Sequence, residues 1–277
     1  MDLKTSIDSV ISILSKQLSL QGVLLYGSQA QNLQDNFSDI DLLVLVKRVP
    51  SPNTRQSAYE KIPHSEAFEI DRQSLKRKTG WDKSWSPTND RLLVNGSQIE
   101  IGYNTVGWIN RILENLLIKH RIACKEFPFR PYTFLGLLES SVILYDPINY
   151  INRIRSQIKP IPLPLKRKIV REFLPILLES HEELKNYSLR KIGILAFEFH
   201  LFRGIDALIQ ILYVLNDVYD PSSKRVESSL FQLKKLPPHT NEFIYKILPR
   251  FYEKQAEVLQ FLEEAIQFIN RQWVTVS

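Results

Sequence analysis

An α+β fold is predicted for this chain of 277 residues, with strands gathered in the first 150 residues and helices alone afterwards. Three observations predict it. Apolar runs of strand length occupy residues 22–26 and 42–46, on either side of a polar stretch. Asn95-Gly96, the favoured two-residue type I′ turn, joins β-prone arms over residues 91–101. Beyond Lys159-Pro-Ile-Pro-Leu-Pro164 the apolar residues recur only at helical spacing.

Taken in order, residues 6–18 place Ile7, Val10, Ile11, Leu14 and Leu18 on one helical stripe. Strand 22–26, a Gly-Ser turn and strand 40–46 follow. Prolines 50, 52 and 63 bracket a short helix within residues 50–66, and residues 67–71 form a weaker strand candidate. Residues 72–90, polar and basic with Trp81 and Trp85, read as a long loop beside a cleft. After the hairpin, residues 106–120 form a helix with Val106, Ile109, Leu113, Leu116 and Leu117 inward. Residues 133–145 run from a helix into a short strand or helix end, stopped by Asp146-Pro147.

Alternate prolines over residues 159–164 bar helix and favour a stiff extended linker. It divides a first domain, residues 1–150, from a helical one, residues 165–277. In the second, helices are expected over residues 166–187 (kinked at Pro175), 190–215, 224–236 and 241–273.

Composition excludes several classes. No apolar run reaches the roughly 18 residues of a membrane span, and the first residues lack the basic-then-apolar order of a secretory signal. The single cysteine, Cys124, forms no intramolecular disulfide or cysteine-based zinc site and is read as a small core residue. A reducing, cytoplasmic setting is expected. The net charge of +6 falls mostly after residue 150, where a basic face suits an anionic substrate. No dense Lys/Arg block interleaved with aromatics is present, so support for nucleic acid is weak.

The most specific signal is Gly27-Ser28, ten residues, then Asp39-Ile40-Asp41. In a strand, alternate side chains share a face, so both aspartates point one way while Ile40 turns to the core. Adjacent carboxylates repel, and a hard divalent cation with oxygen ligands gives a reason to keep them. Glycine allows close backbone approach to a phosphate, and serine adds a hydroxyl.

This pattern resembles the signature of the polymerase-β-type nucleotidyltransferase superfamily, which includes kanamycin and lincosamide nucleotidyltransferases, toxin–antitoxin enzymes and RNA-tailing enzymes. The resemblance implies a palm-like mixed-sheet catalytic domain, here followed by a helical bundle that closes the substrate cleft. It also implies a third carboxylate on a later strand. Glu100, opposite in face to Ile99 and Ile101, meets that expectation. Glu69 and Asp71 compete for the role from the weaker strand. Asp39, Asp41 and Glu100 are thus expected to bind two Mg²⁺, and Gly27 and Ser28 to contact a nucleoside triphosphate such as ATP. Lys224, after Tyr219-Asp-Pro221, is similar to a lysine that faces the nucleotide phosphates. Relatives can draw a general base from the helical domain. Glu198 and Asp206 are the candidates, with Arg203 as an alternative partner for either, and His200 reads as a packing residue.

The implied reaction moves a nucleoside monophosphate onto a hydroxyl and releases pyrophosphate. Acceptors to be weighed are a small molecule, or an RNA or protein. A non-catalytic binding relative is the third reading, against which the intact acids argue.

Overall fold

In the computed structural model the described residues are 3–30, 39–72, 88–122, 130–191, 193–220 and 226–274. The protein is α+β and divides into two compact units, Met1–Lys159 and Pro160–Ser277.

The first unit is built on a six-stranded sheet in the order β3-β4-β5-β2-β1-β6. Helix α1 (Leu3–Gln17) leads into β1 (Leu20–Tyr26). Its five predicted stripe residues are all buried. A single helical turn, α2 (Gly27–Ala30), stands where the Gly-Ser turn was expected, before β2 (Ile40–Val46). Ser51 caps α3 (Pro52–Tyr59), its hydroxyl accepting from the Thr54 N–H at 3.2 Å, with Pro52 in the first turn.

β3 (Ser65–Glu69), β4 (Thr88–Val94) and β5 (Ser97–Thr105) complete the chain's crossover to the far side of β2. Consequently β2 and β5 run parallel while every other neighbouring pair is antiparallel. Positive φ at Asn95 (50°) and Gly96 (71°) makes the β4–β5 hairpin as its sequence requires. Residues 88–90, expected as loop, extend β4; Trp81 and Trp85 lie outside the described residues, as does Cys124.

One face of the sheet buries Val23, Ile40, Leu42, Val44, Ile99, Ile101 and Tyr103 against α1 and the Ala58–Tyr59 end of α3. Beneath α3, Arg55 Nε lies 2.9 Å from Asp90 Oδ2, a fully buried ion pair. The contact lacks hydrogen-bond geometry at Nε, and Arg55 Nη2 donates to the Asp71 carbonyl at 2.8 Å. Tyr59 donates to Asp90 at 2.6 Å and shares a hydrogen bond with Tyr103 at 2.7 Å. Burial pushes the Asp90 carboxyl up, against the Tyr59 hydrogen bond and the Arg55 charge, which lower it.

Thr105 caps α4 (Val106–Leu113), which widens into a π-helical turn, Glu114–Ile118. Of the expected inward residues Ile109 and Leu116 are buried while Val106, Leu113 and Leu117 are only half-buried; Trp108 and Ile112 are also buried, and Asn115 turns inward within the π turn. Trp108 meets Phe134 of α5 (Pro131–Ser140) edge-on at 4.8 Å. β6 (Val142–Tyr145) and α6 (Tyr150–Ile158) end the unit, with Ile151 filling the space beside Gly22 of β1.

The second unit is helical. α7 (Leu163–Arg190) packs along α8 (Ile194–Leu215), and α11 (Gln255–Val274) packs on both. Pro164 sits inside the first turn of α7 rather than in the linker, because an early helical position needs no proline N–H. The helix expected over 224–236 is α9 (Val226–Leu230) alone, and the one over 241–273 is broken. There α10 (Thr240–Glu242), a π turn and a 3₁₀ turn precede α11. Pro249 within Leu248–Arg250 removes an N–H where a continuous helix would need it. No helix among the described residues is long and apolar enough to cross a membrane.

Candidate active site

Sheet register assembles one row of polar side chains across five strands. Glu69 pairs with Arg91, Arg91 with Glu100, Glu100 with Asp41, and Asp41 with Tyr26. Lateral neighbours share a face, so all five side chains emerge opposite the Ile40–Ile99 core face. The alternation legible in each strand therefore becomes a single polar line once the strands are in register.

Asp41 and Glu100 are brought side by side on parallel strands. Burial, then Asp41, then Glu100, raises the hydroxyl pKa of Tyr26 well above its ordinary value, so that the hydroxyl stays protonated under the charge of both acids. Asp39 lies just before β2, where Gln98 donates to its Oδ2 at 3.3 Å. The three acids do not converge on one point. Among the described residues, no group of three or more His, Cys, Asp or Glu stands close enough to hold a metal ion. Asp39 and Glu100 each accept from a neighbouring side chain, Gln98 of β5 and Arg91 of β4. Glu100 Oε1 accepts from Arg91 Nε at 2.8 Å.

Gly27 follows Tyr26 with φ +81°, a conformation that favours glycine. A Cβ at this position would stand 1.9 Å from Asp41 Oδ2. The turn backbone and the Asp41 carboxylate are thus in close apposition, and only glycine leaves room for both. Ser28 belongs to the same helical turn.

A polar cleft of about 410 Å³ opens beside Glu100, lined by Glu69, Ile70, Asp71, Arg72, Asn89 and Arg91. Glu69 is exposed and 3.9 Å from Arg91, whereas Asp71 lies past the end of β3, its backbone N–H held by Asp90 Oδ1 at 2.9 Å. Neither displaces Glu100 as the neighbour of Asp41. Arg91, Gln98 and Tyr26 were not singled out by the sequence. The signal for Arg91 and Tyr26 was the register, since each is the lateral partner of an acid, and Gln98 reaches Asp39 by a hydrogen bond.

The all-oxygen donor set, with two carboxylates on adjacent strands and a third at the strand mouth, suits a hard cation such as Mg²⁺. Lys224 lies outside the described residues. In the helical unit, Arg203 pairs with Glu179 of α7 at 2.9 Å, and Glu198 and Asp206 are half-buried on α8. The His200 ring lies 5.5 Å from that of Tyr187.

Residues 8–81 match the family described as polymerase beta, nucleotidyltransferase. That span includes Gly27, Ser28, Asp39 and Asp41 and ends before Glu100. No curated protein matches the chain. Among solved structures, it is similar to a nucleotidyltransferase-like protein from Exiguobacterium sibiricum, at 11% identity and a TM-score of 0.45, over 99% of this chain and 75% of that one. It is also similar to the spectinomycin adenyltransferase AAD(9) from Enterococcus faecialis, solved with ATP and spectinomycin. There identity is 17% and the TM-score 0.30, over 95% of this chain and all of the other. The Gly-Ser turn folded onto Asp41 lies wholly within the span, residues 8–81, that matches the polymerase beta nucleotidyltransferase family.

Proposed function

We propose that the protein transfers a nucleoside monophosphate, AMP from ATP, to a hydroxyl of a small-molecule acceptor in a Mg²⁺-dependent reaction. The observation that carries this reading is the pairing of Asp41 with Glu100 on parallel strands, with the Gly27 backbone closed over Asp41. Two neighbouring carboxylates at the open end of a sheet are costly unless a cation is to be held there. Asp39, Asp41 and Glu100 are the residues that would hold Mg²⁺, two ions by the family pattern. Bound there, the metal would neutralise phosphate charge and acidify the acceptor hydroxyl.

The chain's own part is placement. Gly27 and Ser28 lie where backbone N–H groups can approach the β- and γ-phosphates. Gln98 steadies Asp39, and the protonated Tyr26 hydroxyl is a donor beside the acids. The acceptor hydroxyl gives its proton to solvent, its oxygen forms a bond to the α-phosphorus as the α–β bridging bond breaks, and pyrophosphate leaves in line. The polar cleft beside Glu100 is the candidate acceptor berth. Lys224 is kept as a candidate phosphate contact, and residues 165–277 as the substrate-binding part after the catalytic residues 1–150. The lack of a dense basic block favours a small acceptor over RNA. A single cysteine fits the proposed cytoplasmic setting.

The test is to incubate the protein with α-labelled nucleotides, Mg²⁺ and pools of small hydroxylated compounds, tRNA or lysate protein, and to find where label appears. Label in a small molecule supports the proposal; label in RNA or protein replaces the acceptor. Asp41→Asn should lower transfer by about a thousandfold, the loss expected when several kcal/mol of charge stabilisation go. Undiminished transfer by a folded Asp41→Asn protein would remove the metal-site reading.

A further inference from the structure

We propose that Arg91 is a displaceable latch on Glu100, with Glu69 as its second docking point, and that it sets how readily the acids accept a divalent cation. The inference rests on the metal-site reading above and concerns residues which that reading does not assign.

Three observations carry it. The guanidinium of Arg91 already occupies Glu100 Oε1 at 2.8 Å, an oxygen that a cation shared with Asp41 needs. On the other side of Arg91, Glu69 Oε2 stands 3.9 Å from Nη1, so a second carboxylate is in reach along the same row. Finally, the Arg91 and Glu69 side chains are 60% and 79% exposed and border the 410 Å³ cleft, which leaves room for the swing.

The physical consequence is a competition. While Arg91 holds Glu100, its positive charge offsets the repulsion between Glu100 and Asp41. A divalent cation on those acids repels the guanidinium, and Glu69 receives it. Arg91 therefore opposes cation binding, and Glu69 favours it by stabilising the released position. Arg91 is a positioning residue here, since it acts through Glu100.

The test is a Mn²⁺ titration of the full chain without nucleotide, followed by water-proton relaxation, with Asp41→Asn as the site control. Arg91→Met should bind Mn²⁺ about fivefold more tightly than wild type, whereas loss of a merely structural residue would weaken binding. Glu69→Gln should weaken binding about two- to threefold, and the effect should vanish in the Arg91→Met background, as the two residues act on one step. Unchanged or weaker binding by Arg91→Met, or an equal effect of Glu69→Gln in both backgrounds, overturns the latch alone. If Asp41→Asn leaves Mn²⁺ binding untouched in both wild type and Arg91→Met, the metal site itself fails and the latch falls with it.

Discussion

Gly27 shows how one residue type serves two constraints at once. Its φ of +81° strains any side chain, and a Cβ there would stand 1.9 Å from Asp41 Oδ2. Gly96 supplies an internal control, with φ +71° and no atom within 4 Å of a Cβ. The positive φ alone should cost alanine about 1 kcal/mol of stability at either position, read as a lower melting temperature. Only Gly27→Ala must also move the Asp41 carboxylate, and a displacement of that order should lower transfer by about a hundredfold. A transfer loss seen in Gly27→Ala and absent from Gly96→Ala would support the reading that the glycine protects a carboxylate. Equal rates would mean that Asp41 relaxes without consequence. The Gly-Ser-x₁₀-Asp-x-Asp spacing made Gly27, Asp39 and Asp41 legible in the sequence, because turn, strand start and face all follow from local pattern. Arg91 was not legible, because its meaning comes from a neighbour across a hairpin.

Among elements, α3 and β4 show where pattern reading ends. The Asn95-Gly96 turn announced β4 and β5, and the alternation of Ile99, Glu100 and Ile101 fixed their faces. Nothing in residues 50–66 marked Arg55 as a fully buried side chain, since burial of an arginine depends on Asp90 arriving from a distant strand. This pair, with Tyr59 and Tyr103, pins α3 to the core face of β4 and β5, the strands whose other face carries Arg91 and Glu100. Asp90→Asn leaves the Arg55 charge buried without its counter-ion and should lower unfolding free energy by about 3–5 kcal/mol in denaturant titrations. The joint replacement Arg55→Met with Asp90→Leu removes both charges and should cost less than Asp90→Asn alone. A double variant less stable than the single one would show that the pair contributes more than mutual neutralisation. The π turn at Glu114–Ile118 and the break before α11 escaped the periodicity for a related reason. An extra residue in one turn shifts the inward face without changing the average spacing of apolar residues.

For the whole molecule, the proline-rich stretch separates segments with different core-forming rules, alternating on strands before it and helical after it. In the second unit, the response to acid is argued most directly from His181. It is buried on α7, and burial first, then Lys185, holds its pKa below the ordinary histidine value, against Glu182 and Glu263 and a backbone hydrogen bond at Leu259. A histidine depressed in the folded state stays neutral there while the unfolded chain takes up a proton near pH 6.5. Over that interval the unfolded state binds more protons, so stability is fully present above about pH 6.5 and falls as pH falls from there toward the folded pKa. His181→Gln cannot titrate, and the difference in unfolding free energy between it and wild type isolates the histidine from the carboxylates. Measured by denaturant titration from pH 8 to 5, that difference should be constant above about pH 7 and shift against wild type below it. A difference that stays flat across the range would mean that His181 takes its proton in the folded protein as readily as in the unfolded chain, and that its burial between α7 and α11 imposes no cost on the charged ring.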